Sequence, residues 1–125
     1  MQNTLAGKRI LVVEDEYFIA SDLKRALVEH GAVVVGPVGD LNDGLAAMRG
    51  QPVDAAVLDV NLEGTNSYPI ADLLTETSVP YIFLTGYDGW SLPEKYRAMP
   101  RIAKPHSMPA VLSAVEQLLM PGVPT

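Results

Sequence analysis

Cysteine is absent from this 125-residue chain, which excludes disulfides, thiolate metal sites and cysteine nucleophiles. Histidine is scarce: His30 and His106 are all there is, too little for an ordinary zinc site. Cationic residues are also few, with 9 Lys and Arg against 15 Asp and Glu, a net charge of -6 and a pI near 4.7. Nonspecific nucleic-acid binding needs clustered cations to neutralise phosphates, so that class of function is disfavoured. No apolar run approaches the ~18 residues of a membrane span, and MQNTLAGKRI lacks the apolar centre of a signal peptide. A cytoplasmic location with no membrane contact is the expectation. What is present suits one compact domain: 48% hydrophobic and 19% charged residues, enough for a single core.

Along the chain, short β-branched runs alternate with segments of helical spacing. Strands are expected over 8–13, 32–38, 55–59, 81–85 and 101–103, the first and third reading as short buried runs. Helices are expected over 17–30 (ended by Gly31), 41–49 (with Asp40 as N-cap), 70–77 (after Pro69), and 110–119. Residues 92–99 form a weaker helical candidate between Pro93 and Pro100. Five alternations with connections too long for hairpins point to an α/β fold with a parallel sheet covered on both faces. The core is expected over about 8–119, with 120–125 a loose tail. In such sheets functional residues gather outside the carboxyl ends of the strands.

The residues at those ends are unusual. ILVVEDE runs four aliphatic side chains into Glu14, Asp15 and Glu16, and AAVLD ends in Asp59. The fourth strand ends in Thr85-Gly86 and the fifth in Lys104-Pro105. Acids in such places often serve only as helix caps. If the strands are neighbours, however, Glu14, Asp15 and Asp59 crowd together. Two carboxylates about 4 Å apart repel by roughly 4 kcal/mol at an effective dielectric near 20, which a cation would offset. Magnesium suits hard oxygen ligands and a shared phosphate. Asn61, two residues past Asp59, stands where its backbone carbonyl could complete the shell. With the cation bound, one carboxylate could attack a phosphoryl group while Lys104 and Thr85 stabilise its oxygens.

Glu14-Asp15, Asp59, Thr85 and Lys104-Pro105, in that order and each after its own strand, resemble a response regulator receiver domain. The resemblance spans 8–119. It implies a flavodoxin-like (βα)5 fold with strand order 2-1-3-4-5, Mg2+ held by Glu14, Asp15, Asp59 and the Asn61 carbonyl, and phosphorylation of Asp59. Thr85 would sense the phosphoryl group, Lys104 would pair with it, and the bond before Pro105 would be cis. The implied donor is a histidine kinase or histidine phosphotransfer protein. The chain would be a stand-alone signalling protein, not an enzyme, acting on a downstream protein or as a phosphate sink. The motif Phe83-Leu84-Thr85-Gly86-Tyr87 is similar to that of single-domain receivers common in alphaproteobacteria.

One departure stands out: the family usually has Tyr or Phe three residues before the lysine, where this chain has Arg101, and His106 replaces a usual Phe. Switching is therefore expected to rely on Thr85 and the loop over 86–92, which contains Trp90. Two other readings use the same strand ends. A haloacid dehalogenase-type phosphotransferase would want a second acid at 61, where Asn stands. A flavodoxin-like binding module would want a Ser/Thr/Gly-rich phosphate loop in place of Glu14-Asp15-Glu16. Among the rest, Tyr81 and Phe83 are expected inside, and His30 at a helix end. Glu16, Asp54 and Asp88 are expected to be solvated acids, and Ser107 an N-cap.

Overall fold

A computed structural model describes residues 5–62, 64–86, 92–104 and 107–120. The expectations placed on Asp88, Trp90, Pro105 and His106 lie outside the described residues, as do those for 121–125. The elements in order are β1 (Arg9–Val13), α1 (Tyr17–Glu29), β2 (Val33–Val38), α2 (Leu41–Gly50) and β3 (Ala55–Asp59). They continue with β4 (Asn61–Leu62), β5 (Thr65–Asn66), α3 (Tyr68–Glu76) and β6 (Tyr81–Thr85). A 3-10 turn at Glu94–Tyr96, β7 (Arg101–Ala103) and α4 (Met108–Leu119) complete the chain.

The five long strands make one parallel sheet in the order β2-β1-β3-β6-β7, the expected 2-1-3-4-5. Successive strand side chains point to opposite faces, and both faces are packed. Leu11, Val13, Ala56, Leu58, Tyr81 and Phe83 join Ile70, Ala71 and Leu74 of α3 on one side. Ile10, Val12, Val57, Ile82 and Leu84 join Leu23 and Leu27 of α1 and Val111 and Val115 of α4 on the other. That two-sided burial is why the central strands are apolar without alternation.

The caps behave as their chemistry requires. Asp40 Oδ1 accepts from Asp43 N at 2.7 Å, and Ser107 Oγ accepts from Ala110 N at 3.3 Å. His30 Nδ1 lies 2.9 Å from Ala26 O at the end of α1, and Gly31 follows at φ +90°. Asp54 does more than face solvent: its Oδ2 accepts from Arg9 N at 2.8 Å, capping the start of β1.

Several features differ from expectation, α4 starting at Met108 rather than at 110 among them. Leu5 is fully buried with the α1–α4 cluster, because the turn through Gly7 (Gly7 N to Gly31 O, 3.0 Å) folds it under the sheet. α3 begins at Tyr68, with Pro69 in its first turn where a missing N–H costs nothing. The candidate helix over 92–99 is reduced, among described residues, to the 3-10 turn, since Pro93 and Pro100 cannot donate within a helix. An unexpected hairpin, β4–β5, follows β3; Gly64 at φ +87° makes its turn, and its N–H donates to Asn61 Oδ1 at 3.0 Å.

Gly36 is the glycine on which the edge strand β2 depends. Its φ is +96°, and a Cβ there would lie 2.7 Å from Val38 N and 3.1 Å from Val12 O, both backbone atoms. Gly36→Ala is expected to destabilise the fold by about 1–3 kcal/mol in urea denaturation. Gly50→Ala, whose Cβ would meet nothing within 4 Å, should leave stability unchanged or slightly raised. Equal midpoints for the two variants would contradict this account of β2.

Candidate functional site

Because β1, β3 and β6 are adjacent and parallel, their carboxyl ends fall side by side, with β7 next in line. Their terminal residues therefore meet. Carboxylate oxygens of Glu14, Asp15 and Asp59 all lie within 4.8 Å of one another, a spacing that could hold a metal ion. Glu14, Asp59 and Thr85 are buried and Asp15 is half-buried. Lys104 reaches in from the end of β7. Its Nζ is 3.0 Å from Asp59 Oδ2 and 3.1 Å from Glu14 Oε1, residues 45 and 90 positions away in the chain. The lysine is placed by its own backbone: Lys104 N donates to Thr85 O at 2.8 Å, extending the β6–β7 pairing by one residue.

The remaining oxygens are held by main-chain donors. Glu14 Oε2 accepts from Glu16 N, and Asp59 Oδ1 from Asn61 N, both at 3.1 Å. Each is a short local turn that locks its carboxylate over the strand end. Asp15, Asp59, Val60, Asn61, Thr85, Gly86 and Lys104, with Glu16 at the rim, line an open cleft of about 330 Å³. A neighbouring cleft of about 380 Å³ runs from Glu14 and Asp15 along α1 to Lys24. It is larger but contains neither Asp59 nor Lys104, so the convergent chemistry belongs to the smaller one.

The electrostatics mark this as a strained arrangement of charge. Burial, followed by its hydrogen bond and charge interaction with Asp59, pushes the Glu14 carboxyl up to about 7; the Glu16 amide and Lys104 pull the other way. Burial works to lower Lys104, but its bonds to Asp59 and Glu14 outweigh that and hold the ammonium above its usual range. One ammonium thus serves two carboxylates while a third stands beside them. A divalent cation would relieve that imbalance, and an all-oxygen donor set of this kind fits magnesium.

All six residues singled out by chemistry, Glu14, Asp15, Asp59, Asn61, Thr85 and Lys104, come together at this rim. Glu16 is exposed, as expected for a solvated acid. Arg101 is exposed, its guanidinium donating to Arg97 O at 2.9 Å. Gly86, noted with Thr85 at its strand end, also lines the cleft, as does Val60, which directly follows Asp59, the signal that could have marked it. A buried tyrosine, Tyr96, was not anticipated near Phe83, because a tyrosine between prolines and charges shows no core periodicity.

The family model described as "Response regulator receiver domain" matches residues 10–116. Among solved structures, SdrG from Sphingomonas melonis Fr1 is 36% identical, with a TM-score of 0.78 over 96% of this chain and 100% of that one. SdrG has also been solved in a BeF3-activated conformation. TrrA from Thermotoga maritima, solved in complex with Mg2+-BeF, is 26% identical, with a TM-score of 0.75 over 90% of this chain and 99% of that one. PdtaR, a transcriptional regulatory protein of Mycobacterium tuberculosis, is 28% identical over 87% of this chain and 55% of its own length. The chain spans about half the length of that curated relative.

Proposed function

Because the chain belongs to the response regulator receiver family, we propose that it is a Mg2+-dependent phosphoacceptor whose acceptor is Asp59. An Asp59 carboxylate oxygen attacks phosphorus of a phosphohistidine, the P–N bond breaks, and the imidazole leaves with a proton taken from solvent. Glu14, Asp15, Asp59 and the Asn61 backbone carbonyl would hold Mg2+, which would supply positive charge to the phosphoryl oxygens and offset the carboxylates. Lys104 exchanges its bond to Asp59 for one to a phosphoryl oxygen. The Thr85 hydroxyl donates to another. The observation that carries this reading is Lys104 Nζ within 3.1 Å of both Glu14 and Asp59 beside a third carboxylate.

The donor is a histidine kinase or a histidine phosphotransfer protein. The 36% identity with SdrG over most of both chains supports a receiver acting as its own module on a protein target, or as a phosphate sink. A cytoplasmic setting follows from that partnership; no described helix is long and apolar enough to cross a membrane. A net charge of -6 suits a protein partner rather than nucleic acid. Family membership also sets aside the haloacid dehalogenase-type and flavodoxin-like alternatives.

The test is incubation with a small phosphodonor and Mg2+, followed by intact mass. One added phosphoryl group is expected, falling to background when EDTA removes the metal. An unmodified mass, or a gain indifferent to EDTA, would count against the reading.

A further inference from the structure

Arg101 stands opposite Phe83 in the β6–β7 register, yet its side chain is turned to solvent. From the crossover between these strands a ring, that of Tyr96, meets Phe83 alongside those of Tyr68 and Tyr81. Tyr96 is buried, edge-on to Phe83 with centroids 5.8 Å apart, and stacked on Tyr68 of α3 at 4.5 Å. Its hydroxyl donates to Asp72 Oδ1 at 2.6 Å, and Lys95 Nζ approaches the same oxygen at 2.9 Å. The chemistry agrees with that geometry. The Tyr96 hydroxyl, then Lys95, holds Asp72 below the usual carboxylate range; burial, then Asp72, pushes Tyr96 up to about 12. Two consecutive crossover residues are thus fastened to α3 at one carboxylate.

The same strand leads to the phosphoryl cleft. Phe83 and Thr85 are two residues apart on β6, so their side chains share a face of the sheet, and Thr85 lines the cleft. Tyr96, Phe83 and Thr85 therefore follow one another along that face. A Thr85 side chain that turns to a phosphoryl oxygen alters the space above Phe83. Packed aromatic groups answer such a change by moving between discrete arrangements.

We propose that the Tyr96–Asp72 hydrogen bond is a latch belonging to the phosphoryl-free state, and that filling the Asp59 site shifts the crossover to an unlatched one. The inference rests on the phosphoacceptor reading above. It moves the aromatic part of switching from position 101 to position 96. A bond made in only one of two states biases against the other, and linkage requires its removal to tighten binding of whatever favours the other state.

Tyr96→Phe keeps the ring and removes the donor, and Asp72→Ala removes the acceptor. Affinity for beryllofluoride with Mg2+, a phosphoryl mimic, should rise on the order of five- to tenfold in both variants. In the unaltered chain, beryllofluoride should speed hydrogen exchange at the Tyr96 and Arg97 amides. A merely structural tyrosine would lower the melting temperature and leave affinity alone. Unchanged or weaker affinity, or exchange that does not quicken, overturns the latch and leaves Asp59 as acceptor. Failure of the unaltered chain to bind beryllofluoride removes the acceptor reading and the latch together.

Discussion

Asp59→Asn is expected to reduce phosphoryl uptake from a small donor to background while leaving the fold intact. The amide keeps the size of the carboxylate but not its anionic oxygen, so it cannot attack phosphorus. Its oxygen can still accept from Asn61 N, which Asp59 Oδ1 now does at 3.1 Å. Lys104 keeps Glu14 at 3.1 Å. Part of what pushes Glu14 up is Asp59 itself, so the substitution eases a repulsion rather than orphaning a charge. The metal-free variant should therefore melt no lower than the unaltered protein. Removing Lys104 instead would leave two buried carboxylates with no ammonium, which is why Lys104→Ala cannot serve as the clean acceptor control. Intact mass after donor and Mg2+ decides the matter. An Asp59→Asn protein that still gains a phosphoryl group would move the acceptor elsewhere, and one that unfolds would show the carboxylate to be structural.

Much of this site was legible because parallel sheets leave a coarse, regular signature. Buried strands read as short aliphatic runs, and a charge directly after such a run has few places to go but the sheet's carboxyl edge. Glu14, Asp59 and Lys104 each carried that mark, Thr85 ended the fourth run with a hydroxyl, and strand adjacency did the rest. Local chemistry near Asp59 was harder. The β4–β5 hairpin involves two residues per strand, too few for any period, and only Gly64 at φ +87° hinted at its turn. The crossover from β6 to β7 was harder still. The weak helix candidate over 92–99 shrank to a 3-10 turn, and Tyr96 gains its burial from Tyr68 and Phe83, residues 28 and 13 positions earlier. No local window holds that information. Arg101 was the reverse case: a charged residue at an expected aromatic position announced its own exposure and left open what fills the space beside Phe83.

Phe83→Ala should have the largest effect on stability, about 3–5 kcal/mol, a large part of the ~5–15 kcal/mol typical of a whole domain. Phe83 is fully buried at the centre of a cluster in which Tyr68, Tyr81 and Tyr96 all meet it edge-on, at centroid distances of 6.2, 5.3 and 5.8 Å. Such contacts each add to plain area burial, and three rings fixed to α3, β6 and the crossover cannot all close on the space it vacates. Arg101→Ala, at the position paired with Phe83 across β6 and β7, should change stability by no more than about 0.5 kcal/mol, since its side chain is exposed. Urea denaturation of the two variants separates register from burial. If they lose similar amounts, Tyr96 does not fill the space beside Phe83 as the structure has it; a loss confined to Phe83→Ala means the aromatic contact on this face comes from the crossover rather than from β7.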